Sequence, residues 1–151
     1  MTRWSRGEGE VDQALEKRQL QQVTGEAANG EAMLDRAQRV LASAAAVIDD
    51  DPDTAYVLAY DVARYASTAL LAHQGLRPTT SGGHYVVELV VRAQFGEGFR
   101  RFGVLRRRRN ELEYPTVLGD ASSQDEARQA IEDAAAMLDA ARQLLPSLTL
   151  Y

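Results

Sequence analysis

The residues with the most chemistry to offer stand together in LRRRRNELEYP, Leu105 to Pro115: four arginines, then Asn110, two glutamates and Tyr114. With Arg100 and Arg101, they place six of the chain's 17 basic residues between positions 100 and 109. A guanidinium is a permanent cation with a fork of donors, matched to phosphate and carboxylate. The run is open to three readings: a solvated helix face, a nucleic-acid clamp or a catalytic site. A helical projection separates its arginines. With Phe102 at zero, Leu105 and Leu112 fall at about 300° and about 280° and mark the buried side. Arg109 falls between Phe102 and Leu105, at about 340°. Glu113, Arg106 and Asn110 follow at about 20°, about 40° and about 80°, and Tyr114 at about 120°. Arg107 and Arg108 point elsewhere, at about 140° and about 240°, and read as solvent or rim charges. An arginine buried without a partner is strongly unfavourable. Arg109 must therefore pair with a carboxylate, snorkel to water or line a polar cleft. Asp61, in LAYDVAR, and Glu113, one turn away, are the carboxylates placed to orient it.

The elements that would hold these residues are helices. Val11, Leu15 and Gln19 space a short first helix ending near Val23. From Met33 to Ile48, apolar residues recur at three- and four-residue steps, the period of an amphipathic helix. Pro52 suits the first turn of a third helix, with Asp51 or Asp53 as its cap and Gly75 as its stop. Tyr56, Ala59, Val62, Ala63, Ala66 and Leu70 line one side of it, and its small residues permit close approach of a neighbour. LRPTTSGGH reads as a loop. HYVVELVVRAQF has the β-branched content of a strand but no partner strand in sight, so it reads as a short helix. The arginine-rich helix follows, closed by Pro115. Ser123 and Glu126 then form the capping box of a last long helix, with a stripe from Ala130 to Leu145 and Pro146 as its stop. The expected architecture is all-α: an up-down bundle of about four main helices plus short ones. The expected divisions are an N-terminal arm with a short helix over 1–30, the bundle over 31–146 and a tail over 147–151.

Bulk properties fit one soluble domain. The chain has 151 residues, 45% hydrophobic and 26% charged, with no cysteine. That composition excludes a disulfide scaffold, a thiol nucleophile and a cysteine zinc site. The net charge of −5 argues against a general nucleic-acid coat, so the positive charge is local. The opening residues lack the apolar core of a signal peptide, and no run has the length of a transmembrane helix. A cytoplasmic protein with no membrane attachment is expected.

Taken together, a helix carrying LAYDVARYASTALLAHQGLRPTTSGGH and a later LRRRRNELEYP resemble HEPN domains, over roughly residues 31–145. The first segment matches the family's helix of tyrosine and small residues before a loop. The second matches the position of its Arg-x(4–6)-His motif, in a form similar to an actinobacterial subgroup with an Arg-Asn…Glu-Tyr-Pro signature. The resemblance implies a homodimer whose motif helices meet at a two-fold axis and build one composite cleft. It also implies a metal-independent ribonuclease without cofactor, paired with a minimal nucleotidyltransferase (MNT) as toxin and antitoxin or as a defence module. Arg109 matches the motif arginine and Asn110 the polar residue after it.

Tyr114 stands where the motif histidine is expected. RNA cleavage needs a base for the 2′-hydroxyl, an acid for the leaving 5′-oxygen and a cation for the phosphorane. Histidine, with a pKa near 6.5, suits the first two, whereas tyrosine, near 10, is a poor base at neutral pH. Tyr114 can still donate to a phosphate or act as an acid, with Arg109 stabilising charge and Arg106, Glu113 and Asp61 in support. The alternative is a HEPN-like module that has lost catalysis and binds RNA, a nucleotide or a partner protein. In some HEPN toxins the MNT enzyme adds AMP to a tyrosine two residues beyond the histidine. Thr116 holds that place here, which leaves Tyr114 as an acceptor by proximity.

Other candidates have plainer readings. His73 and His84 read as helix-end or loop histidines, with replacement acid and base as the sharper alternative. Two histidines without close carboxylates make no metal site. TTSGG lacks the lysine and preceding strand of a phosphate loop, and IDDDPD reads as helix capping. Trp4 anchors the N-terminal arm on the bundle or on a partner.

Overall fold

The computed structural model describes residues 3–151. It is a helical bundle of α1 (Glu8–Glu16), α2 (Glu31–Val47), α3 (Pro52–His73), α4 (Gly83–Phe95), α5 (Phe102–Glu113) and α6 (Gln124–Leu144). Two three-residue strands, β1 (Leu20–Gln22) and β2 (Leu76–Pro78), complete it.

α3 is the central element, packed against α2, α6, α5 and α4. Ala55, Ala59, Ala63, Ala66 and Ala69 are completely buried, so neighbouring helices approach its backbone closely. Gly30 shows how closely: a Cβ there would strike the Ala69 carbonyl. The Asp51 carboxylate accepts from the Thr54 amide at 3.1 Å and caps the helix start, as its sequence predicts. Asp53 instead accepts from the Ser122 amide and ties the loop before α6 to α3. At the other end Gly75 turns the chain with φ 71°, the left-handed conformation that glycine adopts freely. α6 opens on Ser123, whose hydroxyl accepts from the Glu126 amide. It buries Ala130, Ala134, Met137, Leu138 and Ala141, the stripe its periodicity predicts.

The expected first helix is too long. It ends at Glu16, Arg18 takes a positive φ of 59°, and Leu20–Gln22 becomes β1. LRPTTSGGH likewise begins as a strand, with Leu20 paired to Pro78 and Gln22 to Leu76 in antiparallel register. Strands of three residues carry no readable period, and their partners lie far apart in sequence. The β-branched HYVVELVV does form a helix, α4, burying Val86, Val87, Val90 and Val91.

Trp4 and Tyr151 both close on the junction of α3 and α4. Trp4 packs on Phe95 with ring centroids 5.2 Å apart and donates its indole N–H to the Gln94 carbonyl at 3.0 Å. The Tyr151 amide donates to the Gln74 carbonyl at 2.8 Å. Trp4 thus anchors the arm on its own bundle.

Candidate functional site

The start of α5 lies against α3 and the first turns of α4, and Phe102 and Leu105 are buried there, on the side the helical projection marks. Gly103 makes this contact possible, because a Cβ would run into the Glu88 carboxylate. Glu88 is itself buried, and a buried carboxylate needs a cation. It receives two: Arg106 Nε at 2.7 Å and Arg92 at 3.5 Å. The Arg106 guanidinium also lies 5.6 Å from the Tyr85 ring centroid.

The arginines of the opening motif divide by partner. Arg107 is exposed. Arg108, expected as a solvent or rim charge, is a hub with a side chain only 18% exposed. It grips Asp120 with both terminal nitrogens at 2.9 and 3.1 Å, and also reaches Glu111 at 3.0 Å and Glu126 at 3.1 Å. A projection of one helix does not show that the loop after it returns Asp120 to this side. These acceptors hold the Arg108 guanidinium above its ordinary pKa, Asp120 foremost, and Arg108 in turn holds Asp120 below the usual carboxylate range.

Arg109 is different. It makes no ion pair among the described residues. Its Nε is buried without a partner, and its one side-chain hydrogen bond goes to Asn110 at 3.2 Å. Neither expected carboxylate orients it: Asp61 pairs with Arg64 on its own helix at 3.3 Å, and Glu113 is exposed. Its guanidinium instead lies 5.6 Å from the ring centroid of Tyr60, which is completely buried.

Tyr60 joins this cation to a histidine. Its hydroxyl lies 2.7 Å from His84 Nδ1, and the two rings have centroids 5.8 Å apart. Burial pushes the Tyr60 hydroxyl up to about 12, so it stays a neutral phenol at neutral pH. His84, in the first turn of α4, is pushed below the usual 6.5, first by partial burial and then by the Arg64 and Arg109 charges. Tyr114 ends α5 and is 74% exposed. Of the sequence candidates, the charges of Arg106, Arg109 and Asp61 act on Tyr60 and His84, Asn110 is exposed and joins them only through Arg109, and Glu113 and Tyr114 lie at the exposed end of α5. Tyr60 and Arg64 are the members that sequence reasoning missed, and His84 is the histidine it read first as a helix-end or loop residue, with a replacement acid or base as the alternative. Tyr60 falls beside the marked apolar stripe of α3, and His84 lies 24 residues further on, so no local spacing joins them.

A cleft of about 420 Å³ adjoins this cluster. It shares Tyr85 and Glu88 with the cluster, but neither Arg109 nor His84 lines it. Among the described residues no three His, Asp or Glu side chains gather as metal ligands, and no helix is long and apolar enough to cross a membrane.

The bundle and its arginine helix define an all-α class in which one helix carries unneutralised positive charge against a tyrosine–histidine pair. The family model for the HEPN domain matches residues 31–144, and the chain belongs to that family. No curated protein and no solved structure matches it.

Proposed function

We propose that this HEPN protein is a metal-independent endoribonuclease of a toxin–antitoxin or defence pair, working as a cytoplasmic homodimer under the control of an MNT nucleotidyltransferase. The observation that carries this reading is Arg109, an inward-facing cation left without a carboxylate while Arg106 and Arg108 are neutralised. A partly buried unpaired charge is unfavourable for folding, so its retention fits a ligand that supplies the anion. A phosphodiester does so and gains charge in the transition state, where Arg109 is worth most. Asn110 accepts from the guanidinium and orients it, while Arg106 stays committed to Glu88.

The test is incubation of the purified protein with single-stranded RNA in EDTA. Cleavage that Arg109→Ala reduces by about 100-fold or more is expected. Intact RNA with the wild-type protein rejects the reading. A second arm adds an MNT enzyme and ATP: AMP gained on the exposed Tyr114, with loss of cleavage, supports the partnership, and an unmodified chain argues against it.

One observation favours a second reading, a module that binds RNA or a nucleotide without cutting it: the motif histidine's place is held by the exposed Tyr114. RNA bound but uncut, with affinity weakened by Arg109→Ala, is its expected result.

A further inference from the structure

We propose that His84 is the catalytic base of the site, held in place by Tyr60 and facing the phosphodiester bound by Arg109. This inference rests on the ribonuclease reading and supplies the proton acceptor that the arginine motif lacks.

Three observations carry it. Tyr60 is completely buried and contacts both partners: its hydroxyl meets His84 Nδ1 at 2.7 Å, and its ring lies under the Arg109 guanidinium. One rigid side chain thus fixes the base relative to the cation. His84 is otherwise exposed, and its Nε2 has no hydrogen-bond partner among the described residues, which leaves that nitrogen for a substrate. The charged surroundings also suit a base. Arg64 and Arg109 disfavour the imidazolium more than Asp61 favours it, with Arg106 acting in the same sense as the other arginines. On its own helix, Tyr85 follows directly and Glu88, one turn on, is committed to Arg106 and Arg92. His84 is therefore neutral at pH 7, as a base must be.

The step balances as follows. The step uses the tautomer in which His84 Nδ1–H donates to the Tyr60 oxygen, so that Nε2 takes the 2′-hydroxyl proton. The 2′-oxygen forms a bond to phosphorus as the bond to the 5′-oxygen breaks, and that oxygen takes a proton from water. The products are a 2′,3′-cyclic phosphate and a 5′-hydroxyl, and the imidazolium returns its proton to solvent. Tyr60 stays a neutral phenol throughout and is a positioning residue.

The test compares wild type, His84→Gln and Tyr60→Phe on a short RNA across pH 5–8. For the wild type, kcat/KM should fall as pH drops through the free His84 pKa, below about 6.5. The matching fall in kcat should lie at higher pH, because the bound phosphate favours the imidazolium. His84→Gln should lower kcat by about 100-fold or more, remove that acid limb and leave RNA binding within a few-fold. Tyr60→Phe should keep the fold and move the limb. NMR of the His84 ring, titrated with and without a 2′-deoxy dinucleotide that cannot be cut, gives an independent reading: the dinucleotide should raise its pKa. A His84→Gln enzyme with unchanged kcat and pH profile overturns this assignment and leaves the ribonuclease reading standing. Should that variant unfold, a His84 signal indifferent to the dinucleotide overturns it instead. A wild-type protein that cuts no RNA overturns both.

Discussion

Three arginines within four positions show how far neighbours of one type can differ in use. Arg106 neutralises the buried Glu88, Arg108 clasps the loop that leads into α6, and Arg109 is left charged beside Tyr60. The division predicts opposite behaviour in two alanine variants. Arg108→Ala removes a bidentate grip on Asp120 and contacts to two glutamates, and should cost about 1–3 kcal/mol of stability, since the group is only partly withdrawn from water. Arg109→Ala removes an unpaired, partly buried charge and should leave stability unchanged or raised while activity is lost. Thermal melts of both variants check this, and a fragile Arg109→Ala beside a robust Arg108→Ala would reverse the assignment. The first effect also has a pH signature. Arg108 depresses the Asp120 pKa, so the stabilisation is complete above the ordinary carboxylate value near 4 and is lost as pH falls through the lowered one. Melts of the wild type should show that acid loss, and Arg108→Ala should lack Asp120's share of it.

At the scale of elements, the ends of α3 and α4 are joined by a pair of buried amides. Gln74 Nε2 donates to Gln94 Oε1 at 2.6 Å, and Gln94 Nε2 returns a bond to Gln74 Oε1 at 3.1 Å. Each amide satisfies the other, which makes the pair intolerant of half-replacement. Gln94→Leu should cost about 1–3 kcal/mol by leaving the Gln74 amide unpaired, and adding Gln74→Leu should recover much of that loss. Denaturant melts of the single and double variants give the coupling, and strictly additive losses would count against it. The same junction marks the limit of what the sequence discloses. Long helices with a period, α2, α3 and α6, are legible because burial imposes that period locally, and the caps at Asp51 and Ser123 follow from side-chain chemistry. The β1–β2 pair and the Gln74–Gln94 pair are not legible, because each joins residues distant in sequence whose own neighbourhoods say nothing of the partner. The site divides in the same way. Arg109 points inward on a projection of α5 alone, while the Tyr60–His84 bond exists only once α4 folds back on α3.

For the whole molecule, the charge of the transition state bears on how many copies of this site one cleft needs. A phosphorane carries more negative charge than the ground-state phosphodiester, and among the described residues Arg109 is the one inward-facing arginine of the motif without an ion pair, Arg107 being exposed. A two-fold assembly that brings two such helices to one cleft doubles that cation without any new residue. The outer face of α4 suits such an interface. Tyr85 and Leu89, one turn apart, are 61% and 40% exposed, beside the arginines that neutralise Glu88. An interface of ordinary size takes about 800 Å² from each partner, about a tenth of this chain's 8100 Å². Leu89→Arg places a charge at the centre of that face and should cost the folded monomer little, since the residue already meets water. Sedimentation at tens of micromolar should then give a dimer for the wild type and a monomer for Leu89→Arg, with cleavage lost alongside the dimer. A wild type that sediments as a monomer and still cuts RNA would mean that the site is complete within one chain, and that Arg109 and His84 act without a second copy.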